Sequence, residues 1–207
     1  FAQGEVVGLA TEGDKITGVR LASGAVIEAD AVVLAMGPWT AQGSAWLGCE
    51  VSCRNFLTQC LRVEVPRGLP LQTLVGGDYW IIPKVNGEVI LAIYGTDFIE
   101  RPDFDAGLSE EVKLEILRGV TGILPALGDA KLLEHRGDLM AYPPKPPYHK
   151  PVMGRLPGWQ NGYLATRFGG LGINMSPAAG ELMAELIATG RPPLRAKRML
   201  ETLSPRA

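Results

Sequence analysis

The sequence is poor in the features that mark several large classes of protein. Only 7% of its 207 residues are aromatic, which argues against base-stacking platforms for nucleic acid. Twenty Lys and Arg residues balance 22 Asp and Glu residues, and the net charge of −2 argues against a nucleic-acid partner or an anionic membrane surface. The longest apolar runs, such as residues 31–36, are too short to span a membrane.

Cysteine and histidine are scarce as well. Cys49, Cys53 and Cys60 are odd in number and clustered, so they do not make a disulfide framework. Because His135 and His149 are distant from them in sequence, we expect no metal site and interpret the cysteines as buried thiols in or beside a strand. The cysteine usage and the absence of an N-terminal signal pattern favour a reducing, cytoplasmic location.

The motifs of hydrolytic catalysis are missing too. There is no Gly-x-Ser-x-Gly nucleophile elbow, and no pair of carboxylates has a spacing that stands out. Ser176 stands near a predicted helix start but has no evident histidine partner, because both histidines are expected in or near loops. The sequence therefore gives no support to a hydrolase.

What the sequence does contain is a series of short apolar segments separated by turns, to which 26 Gly and 16 Pro residues contribute. The run at residues 30–37 is typical of a strand that is buried on both faces of a parallel sheet. Asn86 and Gly87 lie between two apolar segments and predict a hairpin. The predicted strands are residues 6–9, 16–21, 26–27, 30–37, 51–65, 72–75, 79–83, 89–94, 132–140, 152–154 and 163–166.

Three helices are predicted. The first spans residues 38–47 and begins at a proline. The second begins at Ser109, which caps it, and has an apolar face at helical spacing. This face consists of Val112, Ile116, Val120 and Ile123. The third spans residues 174–188, with Asn174 or Ser176 as its cap and Pro177 in its first position.

The sharpest local feature is the glycine-rich turn at residues 169–172, between a predicted strand and the third helix. Glycines let backbone N–H groups approach a ligand, and a helix N-terminus favours negative charge. Met175 stands where a dinucleotide-binding fingerprint would have its third glycine, and no strand follows the helix. A tight turn that needs glycine only for its backbone geometry is the alternative.

Three segments, in this order and spacing, carry a wider resemblance. They are AVVLAMGPWT (31–40), preceded by GVR at 18–20; YWIIPKVNG (79–87); and PVMG (151–154), followed by FGGLGI (168–173). Together they resemble the FAD-dependent oxidoreductases of the D-amino-acid oxidase, glycine oxidase and sarcosine oxidase superfamily. The resemblance covers nearly the whole chain.

The resemblance implies an α/β plus α+β fold. Residues 1–50 and 150–207 would be the remainder of a flavin-binding Rossmann-like domain, and residues 51–149 an inserted antiparallel-sheet substrate domain. It also implies FAD, bound non-covalently because no cysteine lies near residues 142–155. The adenine would lie near Val6, the pyrophosphate or ribitol near Met36, and the pyrimidine side of isoalloxazine near residues 170–173. The implied cofactor-binding residues are Val6, Met36, Gly37, Trp39, Gly169, Gly170, Leu171, Gly172 and Ile173.

The sequence departs from the family pattern at several points. The N-terminal Gly-x-Gly-x-x-Gly strand is absent and the chain begins with Phe1, so we expect a C-terminal fragment that binds FAD tightly only if another chain completes the site. The arginine that holds the substrate carboxylate in glycine-oxidase-like members would fall near Pro143. An oxygen-activating lysine would fall near Ile90, which favours a dehydrogenase over a fast oxidase. The substitute substrate-contact candidates are Tyr148, Lys145, Arg136 and Arg155.

The expected function is FAD-dependent oxidation of a C–N bond in an amine or amino acid, of dehydrogenase or oxidase type, with hydride transfer to flavin N5. The expected partner is the small-molecule substrate, and self- or hetero-association is left open. The alternatives are a non-catalytic small-molecule-binding module and a subunit that needs a partner chain to complete the flavin site.

Overall fold

A computed structural model describes residues 1–48, 50–66, 72–93, 97–99, 102–103, 107–145 and 150–205. The strands are β1 (Val6–Glu12), β2 (Lys15–Leu21), β3 (Val26–Glu28), β4 (Val32–Leu34), β5 (Arg54–Glu64), β6 (Leu74–Gly76), β7 (Tyr79–Pro83), β8 (Glu88–Ile93), β9 (Asp97–Ile99), β10 (Lys131–Tyr142), β11 (Val152–Arg155) and β12 (Gly162–Thr166). The helices are α1 (Gly43–Leu47), α2 (Glu110–Ile123), α3 (Gly172–Thr189) and α4 (Lys197–Leu203). Within the described residues, no helix is long and apolar enough to cross a membrane.

The chain divides into two compact units. The first unit comprises Phe1–Arg54 and Met140–Ala207, and the second unit comprises Asn55–Leu139. The fold is thus of mixed α/β type, with antiparallel sheets in both units. Which unit holds a flavin and which a substrate remains a prediction.

The second unit is built on an antiparallel sheet with the strand order β10-β5-β8-β7-β6, with β9 also paired to β5. Side chains along β5 alternate between buried and half-exposed, as expected for a strand with one face on a core. Helix α2 packs Ile116 and Val120, both 0% exposed, against this sheet. Its predicted cap is confirmed, because the Ser109 hydroxyl accepts a hydrogen bond from the Val112 N–H at 3.3 Å.

The predicted hairpin is also confirmed. Strands β7 and β8 pair antiparallel, with Ile81 opposite Leu91. Gly87 takes φ +85° in the connecting turn, a conformation that favours glycine. One detail differs, because Ile123 at the end of α2 is 39% exposed and does not belong to the buried face.

The first unit contains two small sheets. Strands β1, β2 and β3 form an antiparallel meander, and a second sheet has the order β11-β12-β4. In the second sheet β12 runs parallel to β4, with Leu164 opposite Leu34. Two segments that are far apart in sequence therefore lie side by side in one sheet. One face of this sheet packs against Leu9 and Ile16 of the meander, and the other face packs against α3 and α4.

The expectation of a long strand at residues 30–37, buried on both faces, is wrong. Only Val32–Leu34 is a strand, and Val33 is 38% exposed. The cause is the position of β4 at the edge of its sheet. Among the described residues, helix α3 packs over Met153 of β11 and Tyr163 of β12, and Val33 of β4 stays partly exposed.

The predicted start of the third helix is also wrong. Helix α3 begins at Gly172, so neither Asn174 nor Ser176 is its cap, and Pro177 lies inside it. Proline has no N–H for the carbonyl four residues earlier, which is that of Ile173. The Ser176 hydroxyl donates a hydrogen bond to this carbonyl at 3.0 Å and so provides a partner in place of the missing N–H.

His135 was expected in or near a loop but lies within β10. Its Nε2 lies 3.0 Å from Oε1 of the buried Gln59, and burial lowers the pKa of its imidazole. Cys53 and Cys60 are half-buried thiols beside and within β5, and Cys49 and His149 lie outside the described residues. In the part of the chain that the structure describes, no group of potential ligands could hold a metal ion.

Candidate functional site

Two turns meet at one edge of the β11-β12-β4 sheet. Strand β4 ends at Leu34 and leads into Met36 and Gly37, while β12 ends at Thr166 and leads into the glycine-rich turn. Because β4 and β12 are adjacent and parallel, both turns follow the carboxyl ends of strands at the same edge. In α/β sheets this edge is where ligands bind.

A pair of buried threonines joins the two turns. The hydroxyl oxygens of Thr40 and Thr166 lie 2.8 Å apart, and both residues are at most 1% exposed. Thr40 donates its proton to the carbonyl of Gly37 at 2.6 Å, so Thr166 is the donor between the two hydroxyls. The sequence indicates no role for either threonine, because no local sequence pattern predicts contact between residues 126 positions apart.

Tyr142, the last residue of β10, explains two of the glycines. A Cβ atom at Gly169, where φ is +53°, would lie 2.5 Å from the Tyr142 ring. The Tyr142 hydroxyl accepts the Gly170 N–H at 3.0 Å. Gly169 therefore serves the packing of the turn, and the Gly170 amide already has a partner within the protein.

The start of α3 has a different character. No side chain caps it, and Ile173 is 90% exposed. A Cβ atom at Gly172 would make only an ordinary contact with Phe168, at 3.7 Å, so packing within the chain does not require glycine there. An uncapped helix N-terminus leaves N–H groups and partial positive charge available to a ligand. These residues fit the polar edge of a planar cofactor such as isoalloxazine.

The turn after β4 is open as well. Gly37 has φ +52°, and a Cβ atom there would meet nothing within 4 Å. Trp39, two residues further along, is half-buried, and its backbone N–H donates to the Met36 carbonyl at 3.0 Å. Val6 lies in the separate meander sheet, where it pairs with Leu21. The structure thus brings Met36, Gly37 and the glycine-rich turn to one edge and places Val6 elsewhere in the unit.

Three of the four substrate-contact candidates lie among the described residues. Lys145 lies on a cleft of the first unit, whereas Arg136 is an exposed residue of the second unit. Arg155 pairs across the ladder with Tyr163, near the end of β12 opposite to the glycine-rich turn, and its guanidinium lies 5.4 Å from the centre of the Tyr163 ring. Tyr148 lies outside the described residues.

Arg167, which sequence analysis did not single out, is the cation next to the glycine-rich turn. Its Nη2 donates to the Ser52 hydroxyl at 3.2 Å, and its Nε is buried without an acceptor among the described residues. Burial lowers the pKa of the Arg167 guanidinium. Burial also raises the pKa of the nearby Cys53 thiol, and the positive charge of Arg167 partly opposes this rise. Its only sequence signal was its position directly after a predicted strand.

The chain is similar to several known proteins. The FAD dependent oxidoreductase (DAO) family model matches residues 1–186. A glycine oxidase of Pseudomonas aeruginosa is 29% identical over 93% of this chain and 50% of its own length. A D-amino acid dehydrogenase of Xanthobacter autotrophicus is 31% identical over 91% of this chain and 43% of its own length. The crystal structure of L-proline dehydrogenase from P. horikoshii superposes with a TM-score of 0.79, at 28% identity, over 92% of this chain and 50% of that one.

The mixed sheet, in which β12 runs parallel to β4 and both strands lead into glycine-bearing turns, defines a protein of mixed α/β type. More specifically, the chain belongs to the FAD-dependent oxidoreductase family of D-amino-acid oxidase type. It spans about half the length of the curated relatives it matches.

Proposed function

We propose that this chain supplies the isoalloxazine side of an FAD site in an oxidoreductase that acts on the C–N bond of an amine or amino acid. The observation that carries the proposal is the Thr40–Thr166 link, which joins the turn after β4 to the turn that leads into the uncapped α3. The names of the matched relatives, a glycine oxidase and D-amino acid dehydrogenases, support the substrate class.

In this proposal the chain's own groups bind and polarise the ring. The flavin, when bound, supplies the acceptor for a hydride from the substrate α-carbon. The N–H groups at the start of α3, from Gly172 onward, would hold the negative charge that develops at the pyrimidine edge, without reorganising during the reaction. Tyr142 and the threonine pair would hold the two turns in place. The Gly170 amide is not assigned to the flavin, because it binds Tyr142.

The proposal extends to the domain roles. The first unit would be the remainder of a Rossmann-like flavin domain, and the second unit, with its antiparallel sheet, would be an inserted substrate domain. Electron transfer to a dehydrogenase acceptor rather than directly to oxygen and a cytoplasmic location remain predictions of the same proposal, which leaves self- or hetero-association open.

FAD titration of the chain, followed by flavin fluorescence quenching, tests the cofactor site. We expect measurable but not sub-micromolar affinity for the monomer, and Gly172→Val should weaken it by about 1–3 kcal/mol through overpacking against the ring. Gly180→Val is the matched control, because Gly180 lies in the same helix with nothing within 4 Å of a Cβ atom. Equal FAD affinity of the two variants would contradict the proposed site.

A second measurement separates the enzyme from the non-catalytic module. The chain is saturated with FAD without oxygen, and glycine, D-alanine or L-proline is added. Bleaching of the visible absorbance band of oxidised flavin by one of these supports amino-acid oxidation. If FAD binds saturably but none of these amino acids bleaches its absorbance band, the non-catalytic alternative is favoured.

A further inference from the structure

A cleft of about 550 Å³ opens in the first unit, on the sheet face opposite to α3. Its floor includes Leu156 and Leu164, which pack on that face. Its walls include Pro143, Pro144, Pro157 and Pro205, together with residues 202–204 at the end of α4. The residues of the glycine-rich turn do not line it, so it is separate from the proposed flavin contacts.

The charge of this cleft is unbalanced. Lys145, Lys150 and Arg167 line it, and Glu50 is its one acidic lining residue in the described part of the chain. Glu50 acts on Arg167 only through longer-range electrostatics and forms no ion pair with it. The cleft therefore carries an excess of positive charge.

Arg167 is held in the cleft at an energetic cost. Among the described residues, it is the one non-glycine residue with a positive φ, +63°, a conformation that L-amino acids other than Asn and Asp rarely adopt. Among the described residues, its guanidinium has the Ser52 hydroxyl as its one hydrogen-bond partner, and its buried Nε has no acceptor. A half-buried cation that forms no ion pair with its nearest carboxylate is unfavourable, and strained residues with such unpaired groups concentrate at ligand sites.

We propose that this cleft binds a small organic anion, whose oxyanion group contacts the free terminal nitrogen of Arg167 and whose apolar body lies against the prolines and Leu156. Arginine presents a planar array of donors that suits carboxylate and phosphate oxygens. Lys145 and Lys150 add positive charge without a fixed geometry. The volume of the cleft lies in the range of small-molecule sites.

Isothermal titration calorimetry of the chain with four probes tests the proposal. Hexanoate and hexyl phosphate carry both an apolar body and an oxyanion, inorganic phosphate lacks the body, and hexylamine lacks the oxyanion. We expect saturable binding of hexanoate or hexyl phosphate, at least tenfold tighter than either control, and the tighter of the two identifies the oxyanion. Hexylamine or inorganic phosphate binding equally well would overturn the proposal.

Variants locate the site. Arg167→Gly removes the cation and also relieves the left-handed backbone, so it should fold at least as stably while its affinity for the preferred probe falls at least tenfold. Arg191→Gln removes an exposed cation of the same unit that does not line the cleft, and this variant should leave the affinity unchanged. If Arg167→Gly lowers Tm, the double variant Lys145→Gln/Lys150→Gln provides the second test, with a several-fold loss of affinity expected. Unchanged affinity in the folded variants would overturn the proposal.

A competition experiment separates this site from the proposed flavin site. FAD added to the hexanoate-saturated chain should bind without displacing hexanoate. Displacement would overturn the assignment of a separate anion site while leaving the flavin proposal intact. Failure of FAD to bind would affect only the flavin proposal.

Discussion

The two units of the chain follow local sequence rules to different degrees. In the second unit, burial along β5 alternates, α2 has a serine cap, and core residues such as Leu61 and Leu91 are fully buried. The first unit buries a threonine pair, leaves α3 uncapped and holds Arg167 with a positive φ. Departures from local rules are expected where a protein binds ligands, so the comparison supports the proposal that the first unit holds the cofactor.

The largest effect is expected in the regular core of the second unit. Ile116→Ala should lower the free energy of unfolding by about 2–5 kcal/mol, because it leaves a cavity under the sheet. Leu114→Ala on the same helix is the control, since Leu114 is 41% exposed, and should change it by less than about 0.5 kcal/mol. Urea denaturation of the two variants measures the difference, and similar destabilisation would show that the assigned core face is wrong.

In the first unit, the contact between Gly169 and Tyr142 should give the next largest effect. Gly169→Ala introduces both the strain of a side chain at positive φ and a clash with the Tyr142 ring. Gly158→Ala introduces only the strain, because Gly158 has φ +76° and a Cβ atom there would meet nothing within 4 Å. The clash should make Gly169→Ala less stable than Gly158→Ala by about 1–3 kcal/mol. Thermal unfolding of both variants compares them, and equal losses would remove Tyr142 as the reason for glycine.

The threonine pair offers a test of the link between the two turns. Thr166→Val removes the donor to the Thr40 hydroxyl and should cost about 1–3 kcal/mol of stability. In a double-mutant cycle with Thr40→Val, the coupling energy should be about 0.5–3 kcal/mol. Strict additivity of the two substitutions in chemical denaturation would mean that the hydroxyls do not hold the turns together.

The smallest changes in stability are expected at two serines, one that caps α2 and one inside α3. Ser109→Ala removes the α2 cap and should destabilise the chain by about 1 kcal/mol. Ser176→Ala, at an exposed site inside α3, should cost less than about 0.5 kcal/mol. If Ser176→Ala lowers stability more than Ser109→Ala does, the hydrogen bond from Ser176 to the Ile173 carbonyl, beside Pro177, contributes more than the α2 cap.

The success of prediction from sequence differs between the two units in the same way. The β7–β8 hairpin and the α2 face were predictable because Asn86, Gly87 and Ser109 act on their immediate neighbours. The parallel pairing of β4 with β12 was predictable only through the family resemblance.

The remaining features depend on contacts between distant residues. Tyr142 lies 28 positions from the glycine whose amide it binds, so the glycine pattern alone could not separate packing from cofactor binding. Arg167 carries no local signal of its backbone conformation. The start of α3 differs from the predicted one because Asn174, Ser176 and Pro177 resemble a helix start, whereas the helix already begins at Gly172.

The central claim, that the two turns at the carboxyl ends of β4 and β12 form one flavin site, is tested most directly by amide NMR. The ¹⁵N-labelled chain is titrated with FAD, and the shifted backbone amides are assigned. We expect the largest shifts at Gly37 and at residues 171–174, and little change at Gly180 and in the hairpin around Gly87. Saturable FAD binding whose shifts fall elsewhere, with these amides unmoved, would contradict the claim.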